Sequence, residues 1–290
     1  MGTYSKIEAL YNQIRKNNID ELNSSNITKL LEDLSQSCTE YLKSCKKVPL
    51  ISKVVGKDYF TFISGNKQSR AVRTDLYTSD LKIIKRFFSC LITNKFTAIT
   101  PLEIDKACYT VAISFCAIVD LEKVGDQKTT GTFFEYFIGH CFAVRLAVNP
   151  RSKVDVLNLD KKTTLPTDLI FDLGPNRPKF HVPIKISTRE RVIQVWAHQR
   201  VLDGVYGTGR FYGTLACLSE TKTDKVKKEV IEICLPQQWQ LYQMFIAQMK
   251  RVYYLDLPLA YSKLNDVFPK IHVNTLSSFF IETEDLANFD

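Results

Sequence analysis

The chain has 290 residues, 45% of them hydrophobic and 24% charged, with a formal net charge of +8 at pH 7. This length and balance allow one large domain or two smaller ones to bury a core, and they exclude a disordered, collagen-like or low-complexity protein. The positive charge favours a polyanionic partner such as nucleic acid, but it is equally consistent with solubility alone, because composition does not show whether the charges share a face.

The first 125 residues read mainly as helices. Apolar residues recur at three- and four-residue spacing over Ser5 to Lys16, Ile27 to Lys43, Asp80 to Asn94 and Pro101 to Val119. Asp80 and the Thr100-Pro101 pair supply start signals, the latter with proline at the first helical position. The opening MGTYSKIEALYNQIRK is polar and periodic, unlike a signal or transit peptide. The apolar run Val111 to Val119 is too short to span a bilayer. Between the helices, Tyr59 to Ser64 is a short β-rich interlude ending at Gly65-Asn66.

From about Thr129 the pattern changes to alternating helices and strands. It predicts a helix from Thr132 to about Val148 and a strand from Asp168 to Leu173. A Gly174-Pro175-Asn176-Arg177-Pro178 turn and a strand from Phe180 to Ile186 follow. A helix from Thr188 to about Leu202 comes next, then strands near Phe211 to Leu218 and Glu229 to Leu235, and a helix from Pro236 to Met249. The expected division is a mainly helical region over 1–125 and an α/β core over 126–290. The eight cysteines contain no CxxC pair and lie mostly in apolar surroundings. They suit reduced core positions of a cytoplasmic protein better than disulfides or zinc ligands.

Within this grammar, Asp168 leads one strand of the expected hairpin and Lys185 ends the next, so antiparallel pairing would bring them side by side. A carboxylate there suits a hard divalent cation such as Mg²⁺, and a lysine beside it would orient a water and add positive charge next to a phosphate transition state. An ordinary ion pair at a strand end is the plainer explanation of the same spacing.

Pro166-Thr167-Asp168 followed by Pro183-Ile184-Lys185 resembles the PD-(D/E)XK motif of restriction endonucleases. The helix bearing Gly131-Thr132-Phe133-Phe134-Glu135 is similar to the glutamate helix that precedes that motif. The resemblance covers about residues 129 to 235. It implies an α/β, restriction-endonuclease-like core with a mixed central sheet flanked by helices, and a Mg²⁺-dependent Type II enzyme that cuts double-stranded DNA to 5′-phosphate and 3′-hydroxyl ends. A cognate DNA methyltransferase would be its functional partner. The family's usual acid two residues before the lysine is absent, because Pro183 stands there.

The segment from Lys185 through Thr188-Arg189-Glu190-Arg191 to Val195 is similar to the CCGG-type branch, whose members read CCGG, CCNGG or CCWGG-like sites. That branch restores the missing acid with a glutamate thirteen residues beyond the lysine, where this chain has His198. His198 is therefore a candidate nitrogen ligand or base, or a helix residue facing the core, and Glu135 is the best spare acid. The expected metal ligands are Asp168 and Glu135.

By chemistry alone, Arg189 and Arg191 suit guanine O6 and N7, and Glu190 suits cytosine N4, so the three would read a G·C step; a charged helix start is the bland alternative. A palindromic target needs two copies of one reader, which implies a homodimer. Rival functions are a structure-specific repair or recombination nuclease on the same core and a DNA-binding protein that has lost catalysis.

Overall fold

The computed structural model describes residues 3–158 and 162–282. The helical first part comprises α1 (Thr3–Lys16), α2 (Ser25–Lys43), α3 (Leu81–Thr93) and α4 (Pro101–Glu122). Small strands lie between α2 and α3: β1 (Lys46–Pro49), β2 (Ile51–Ser52), β3 (Tyr59–Ser64), β4 (Lys67–Gln68) and β5 (Val72–Arg73).

Local chemistry fixes the helix starts. Asp80 accepts from the Lys82 amide at 2.9 Å, and Thr100 and Glu103 cap α4 reciprocally around Pro101. Helix α5 (Gln127–Leu146) starts before the Thr132 expected from periodicity, because Asp126 accepts from the Thr129 amide at 2.9 Å and its hydroxyl at 2.6 Å. That cap satisfies donors of the first turn and pulls the start forward by a turn and more.

The second part runs β6 (Arg151–Asn158), β7 (Lys162–Phe171), β8 (Lys179–Val182), β9 (Ile184–Lys185), α6 (Val192–Tyr206) and β10 (Phe211–Cys217). It continues through β11 (Thr221–Asp224), β12 (Glu229–Glu232), α7 (Pro236–Phe245), β13 (Met249–Tyr254), α8 (Leu259–Ser262), β14 (Val273–Thr275) and α9 (Leu276–Glu282). The expected hairpin exists as β7 and β8, paired antiparallel with Leu169 opposite Val182 and Phe171 opposite Phe180.

Other expectations are corrected. The helix read over Pro236 to Met249 stops at Phe245 and is followed by β13, and the strand read over Glu229 to Leu235 ends at Glu232, paired antiparallel with β11. The helix read from Thr188 opens with a 3₁₀ turn, Arg189–Arg191, and extends to Tyr206.

In the described residues the central sheet has the order β14-β13-β10-β8-β7-β6, with β9 also paired to β10. Strands β6, β7 and β8 are antiparallel, while β8, β9 and β13 run parallel to β10, and β14 runs parallel to β13. The sheet is therefore mixed, as the sequence led us to expect. Alternate residues face opposite sides of it. Ala216, Leu218, Tyr253 and Leu255 join a core shared with α1 to α5 and α9, whereas Leu215, Cys217, Val252 and Tyr254 join a second core with α6 and α7. Burial on both faces explains why β10 and β13 read as continuous apolar runs. The first core extends from Ile7 to Phe280, so the early helices and the sheet share one interior.

A buried ionic cluster ties the small strands to the end of β13. Asp256 accepts from Lys57 Nζ at 2.7 Å, Arg73 Nη1 at 2.8 Å and the Tyr59 hydroxyl at 3.0 Å. Lys57 also reaches Glu232 at 2.6 Å. No described helix is long and apolar enough to cross a membrane.

Candidate active site

The site forms where β8 gives way to β9. Pro183 separates the two strands and has no N–H to continue the ladder, so β7–β8 pairing ends at Leu169 and Val182, one residue short of Asp168. Past the proline, Ile184 and Lys185 pair with Ala216 and Cys217 of β10. The Ile184 amide points instead to the Asp168 carboxylate, donating to Oδ2 at 2.7 Å.

Lys185 Nζ donates to the same Oδ2 at 2.6 Å. Among the described residues no hydrogen bond reaches Asp168 Oδ1, which leaves one carboxylate oxygen open. Both side chains are only partly buried and so remain within reach of a solute. Asp168 shares its strand parity with Ile170, which packs against Leu202 of α6, so the pair lies towards the α6 side of the sheet.

Helix α5 delivers Glu135. Its close seat depends on Gly139, where a Cβ would lie 2.6 Å from Leu22 Cδ1 and 2.7 Å from Leu169 Cδ1, the neighbour of Asp168. Glu135 is four residues earlier, on the same face of the helix. Burial, reinforced by the charge of Asp168 and opposed by Lys185, pushes the Glu135 carboxyl up to about 7. Two carboxylates and one ammonium thus lie within electrostatic reach of one another, and Glu135 holds its proton more firmly than an ordinary glutamate.

His198 comes from α6 and is half-buried. Burial lowers its pKa, with Asp168 raising it and Lys185 lowering it, which places the ring in electrostatic reach of both. Its ring centroid is 6.4 Å from that of His181, a buried strand residue held down to about 4 chiefly by burial. Gln199, considered as a neutral oxygen for the site, is committed elsewhere. Its Oε1 meets His181 Nδ1 at 3.1 Å, and its Nε2 donates to Asp203 and to the Phe211 carbonyl, both at 2.9 Å. Of the four residues singled out for catalysis, Glu135 and His198 each lie within electrostatic reach of the Asp168–Lys185 pair. Among the described residues, no group of three His, Cys, Asp or Glu side chains is arranged to hold a metal ion.

The Arg189–Arg191 turn lies at the start of α6. Arg191 is exposed, while Arg189 is partly buried, with Nη2 donating to the Thr221 carbonyl at 2.7 Å. The Glu190 side chain lies outside the described residues. Trp196, assigned to packing by its helical spacing, is fully buried against Trp239 at a centroid distance of 5.3 Å.

The sequence reading missed Glu220, which has no counterpart in the motif. It is fully buried after β10 and accepts hydrogen bonds from the segment that precedes α6. The only hint in the sequence is an acid closing the apolar run Leu215-Ala216-Cys217-Leu218.

The mixed sheet and its flanking helices form a restriction-endonuclease fold. Over 99% of this chain and 97% of the other, the structure is similar to the crystal structure of the Type IIP restriction endonuclease Kpn2I, with a TM-score of 0.79 and 25% sequence identity. A complex of the restriction endonuclease PspGI with substrate DNA is a more distant neighbour. It has a TM-score of 0.42 and 13% identity, and covers 71% of this chain and 92% of that one. No protein-family profile matches the chain, and no curated protein matches it.

Proposed function

We propose that the chain is a Mg²⁺-dependent Type II restriction endonuclease that cuts double-stranded DNA within a CC/GG-containing site, leaving 5′-phosphate and 3′-hydroxyl ends. The observation that carries this reading is the Asp168 carboxylate held between the Lys185 ammonium and the Ile184 amide at a strand break. The near full-length likeness to a Type IIP enzyme supports it.

The donor set suits a hard cation. Asp168 offers its open Oδ1, and Glu135 supplies a second carboxylate whose ionisation is opposed by burial and by Asp168, an opposition that a divalent cation relieves. Asp168 and Glu135 would hold Mg²⁺, which when bound supplies charge neutralisation at the scissile phosphate. Lys185, anchored by Asp168, orients the attacking water and adds a positive charge where the transition state gathers negative charge. His198 stands ready to take or pass a proton, since its lowered pKa keeps it neutral and basic near pH 7.

Recognition falls to Arg189, Glu190 and Arg191, which match the donor and acceptor pattern of a G·C step. A symmetric target calls for a homodimer, and a cognate methyltransferase would protect host DNA. In this reading residues 126–290 carry catalysis and recognition, and residues 1–125 brace the sheet.

Digestion of sequenced phage DNA with Mg²⁺ tests the proposal. Discrete fragments that disappear in EDTA are expected, whereas a smear or nicks without site preference would indicate a structure-specific nuclease. A second reading, a DNA-binding protein that does not cut, is favoured by the lack of a three-ligand group among the described residues. Intact DNA bound equally with and without Mg²⁺ would establish it instead.

A further inference from the structure

The peptide that links the catalytic lysine to the recognition turn is zipped onto the strand beside it. Leu218 N donates to the Lys185 carbonyl and Ser219 N to the Ile186 carbonyl, both at 3.1 Å. The next residue, Glu220, is fully buried, and its carboxylate ends this zipper. Oε1 accepts from Thr188 N at 2.9 Å, Thr188 Oγ1 at 2.6 Å, the Tyr254 hydroxyl at 2.7 Å and Cys217 Sγ at 3.6 Å. Oε2 faces Arg189 N at 3.4 Å.

Arg189 is held where few non-glycine residues settle, at φ 34°. The 3₁₀ turn has no side-chain cap of its own, and Thr188 spends its hydroxyl on Glu220. A carboxylate from the link between β10 and β11 therefore does the work of the missing cap, and the adjacent Thr221 carbonyl grips the Arg189 guanidinium at 2.7 Å.

We infer that Glu220 is a positioning residue for DNA reading, fixing the direction of the Arg189–Arg191 turn relative to Lys185 from the buried link between β10 and β11. The inference rests on the proposed function, because it takes Arg189–Arg191 to be the reader. Holding the reader and the lysine on one rigid zipper makes base recognition and phosphate placement parts of a single geometry.

The test uses the duplex that the wild-type protein selects from a random-sequence library, together with copies carrying one changed base pair. Affinities are measured in EDTA, so that the reading of DNA is scored apart from cutting. Glu220→Gln keeps an oxygen for Thr188 and Tyr254 but turns an amide donor towards Arg189 N. Its preference for the selected duplex should fall about tenfold, the effect of one hydrogen bond to a charged acceptor. Thr188→Val, which removes only the hydroxyl bond, should lower the preference less and covers the case in which Glu220→Gln fails to fold.

Asp105→Asn is the matched control, since Asp105 is a buried carboxylate holding the amide and hydroxyl of Ser277, each at 2.9 Å, far along the chain from the reader. It should lose stability and keep the full preference. Unchanged preference in folded Glu220→Gln and Thr188→Val, or an equal loss in Asp105→Asn, would overturn the positioning role. Cutting of phage DNA by the wild-type protein is scored separately, so the proposed function can fail while the positioning role stands. A wild-type protein that selects no duplex would end both.

Discussion

At the scale of single residues, the site is a problem of charge in a small space. Asp168 accepts hydrogen bonds from Lys185 and from the Ile184 amide, and Glu135 lies within their electrostatic reach without a hydrogen-bonded partner among the described residues. Replacing Glu135 by Gln removes a proposed cation ligand while keeping the shape of the side chain. The variant should need at least about tenfold more Mg²⁺ for half-maximal cutting, which a metal titration of cleavage would measure; an unchanged requirement would remove Glu135 from the cation site. The nearness of Asp168 and Lys185 was legible in the sequence because each stands two residues after a proline in a recognisable order, although Pro166 lies within β7 and only Pro183 marks a strand break. Glu220 was not, because apart from Cys217 its partners are 31 to 34 residues away along the chain and no local spacing announces them.

At the scale of elements, the position of α5 decides where Glu135 goes. Gly139 is the point of closest approach, and Gly139→Ala would force Leu22 or Leu169 to move. We expect a loss of about 1–3 kcal/mol in urea unfolding together with weaker cutting, since Leu169 adjoins Asp168. The Lys57, Arg73 and Asp256 cluster does for the small strands what Gly139 does for α5. Asp256→Asn leaves Lys57 with Glu232 and Arg73 with Asp75 as their remaining counter-charges and should cost about 1–3 kcal/mol by the same measurement; a change below about 1 kcal/mol would show the cluster to be energetically idle.

Helices α1 to α3 were readable from one apolar face and α4, buried nearly all round, from its apolar run and its Thr100-Pro101 start, as was the β7–β8 hairpin from its turn residues. Strand β13 was not, because Val252-Tyr253-Tyr254-Leu255 is buried on both faces and a continuous apolar run carries no period. Strand β6 escaped for a different reason: Val154 and Val156 alternate with charged residues but are only half-buried on a partly exposed ribbon, so the alternation is too short to mark a buried face.

At the scale of the whole molecule, the shared core makes folding and function depend on the early helices. His140 of α5 shows the coupling: its Nδ1 donates to the Leu22 carbonyl at 2.7 Å and its Nε2 lies 3.0 Å from Thr28 Oγ1, and burial holds its pKa down to about 4. Because the folded value lies below the unfolded value of about 6.5, the unfolded chain binds the extra proton. The contribution is therefore complete above about pH 6.5 and is lost as pH falls towards 4. Urea unfolding from pH 7 to pH 4.5 should show this decline, and His140→Gln should flatten part of it; an identical slope in the variant would assign the decline to other groups.

The account stands most directly on the pairing of Lys185 with Asp168 as cutting machinery rather than as a structural ion pair. Single-turnover cleavage and DNA affinity, measured side by side for wild type and Lys185→Ala, separate the two. Cutting should fall by at least about 100-fold with affinity for the selected duplex nearly unchanged. Cleavage by Lys185→Ala at the wild-type rate would contradict the assignment of the site.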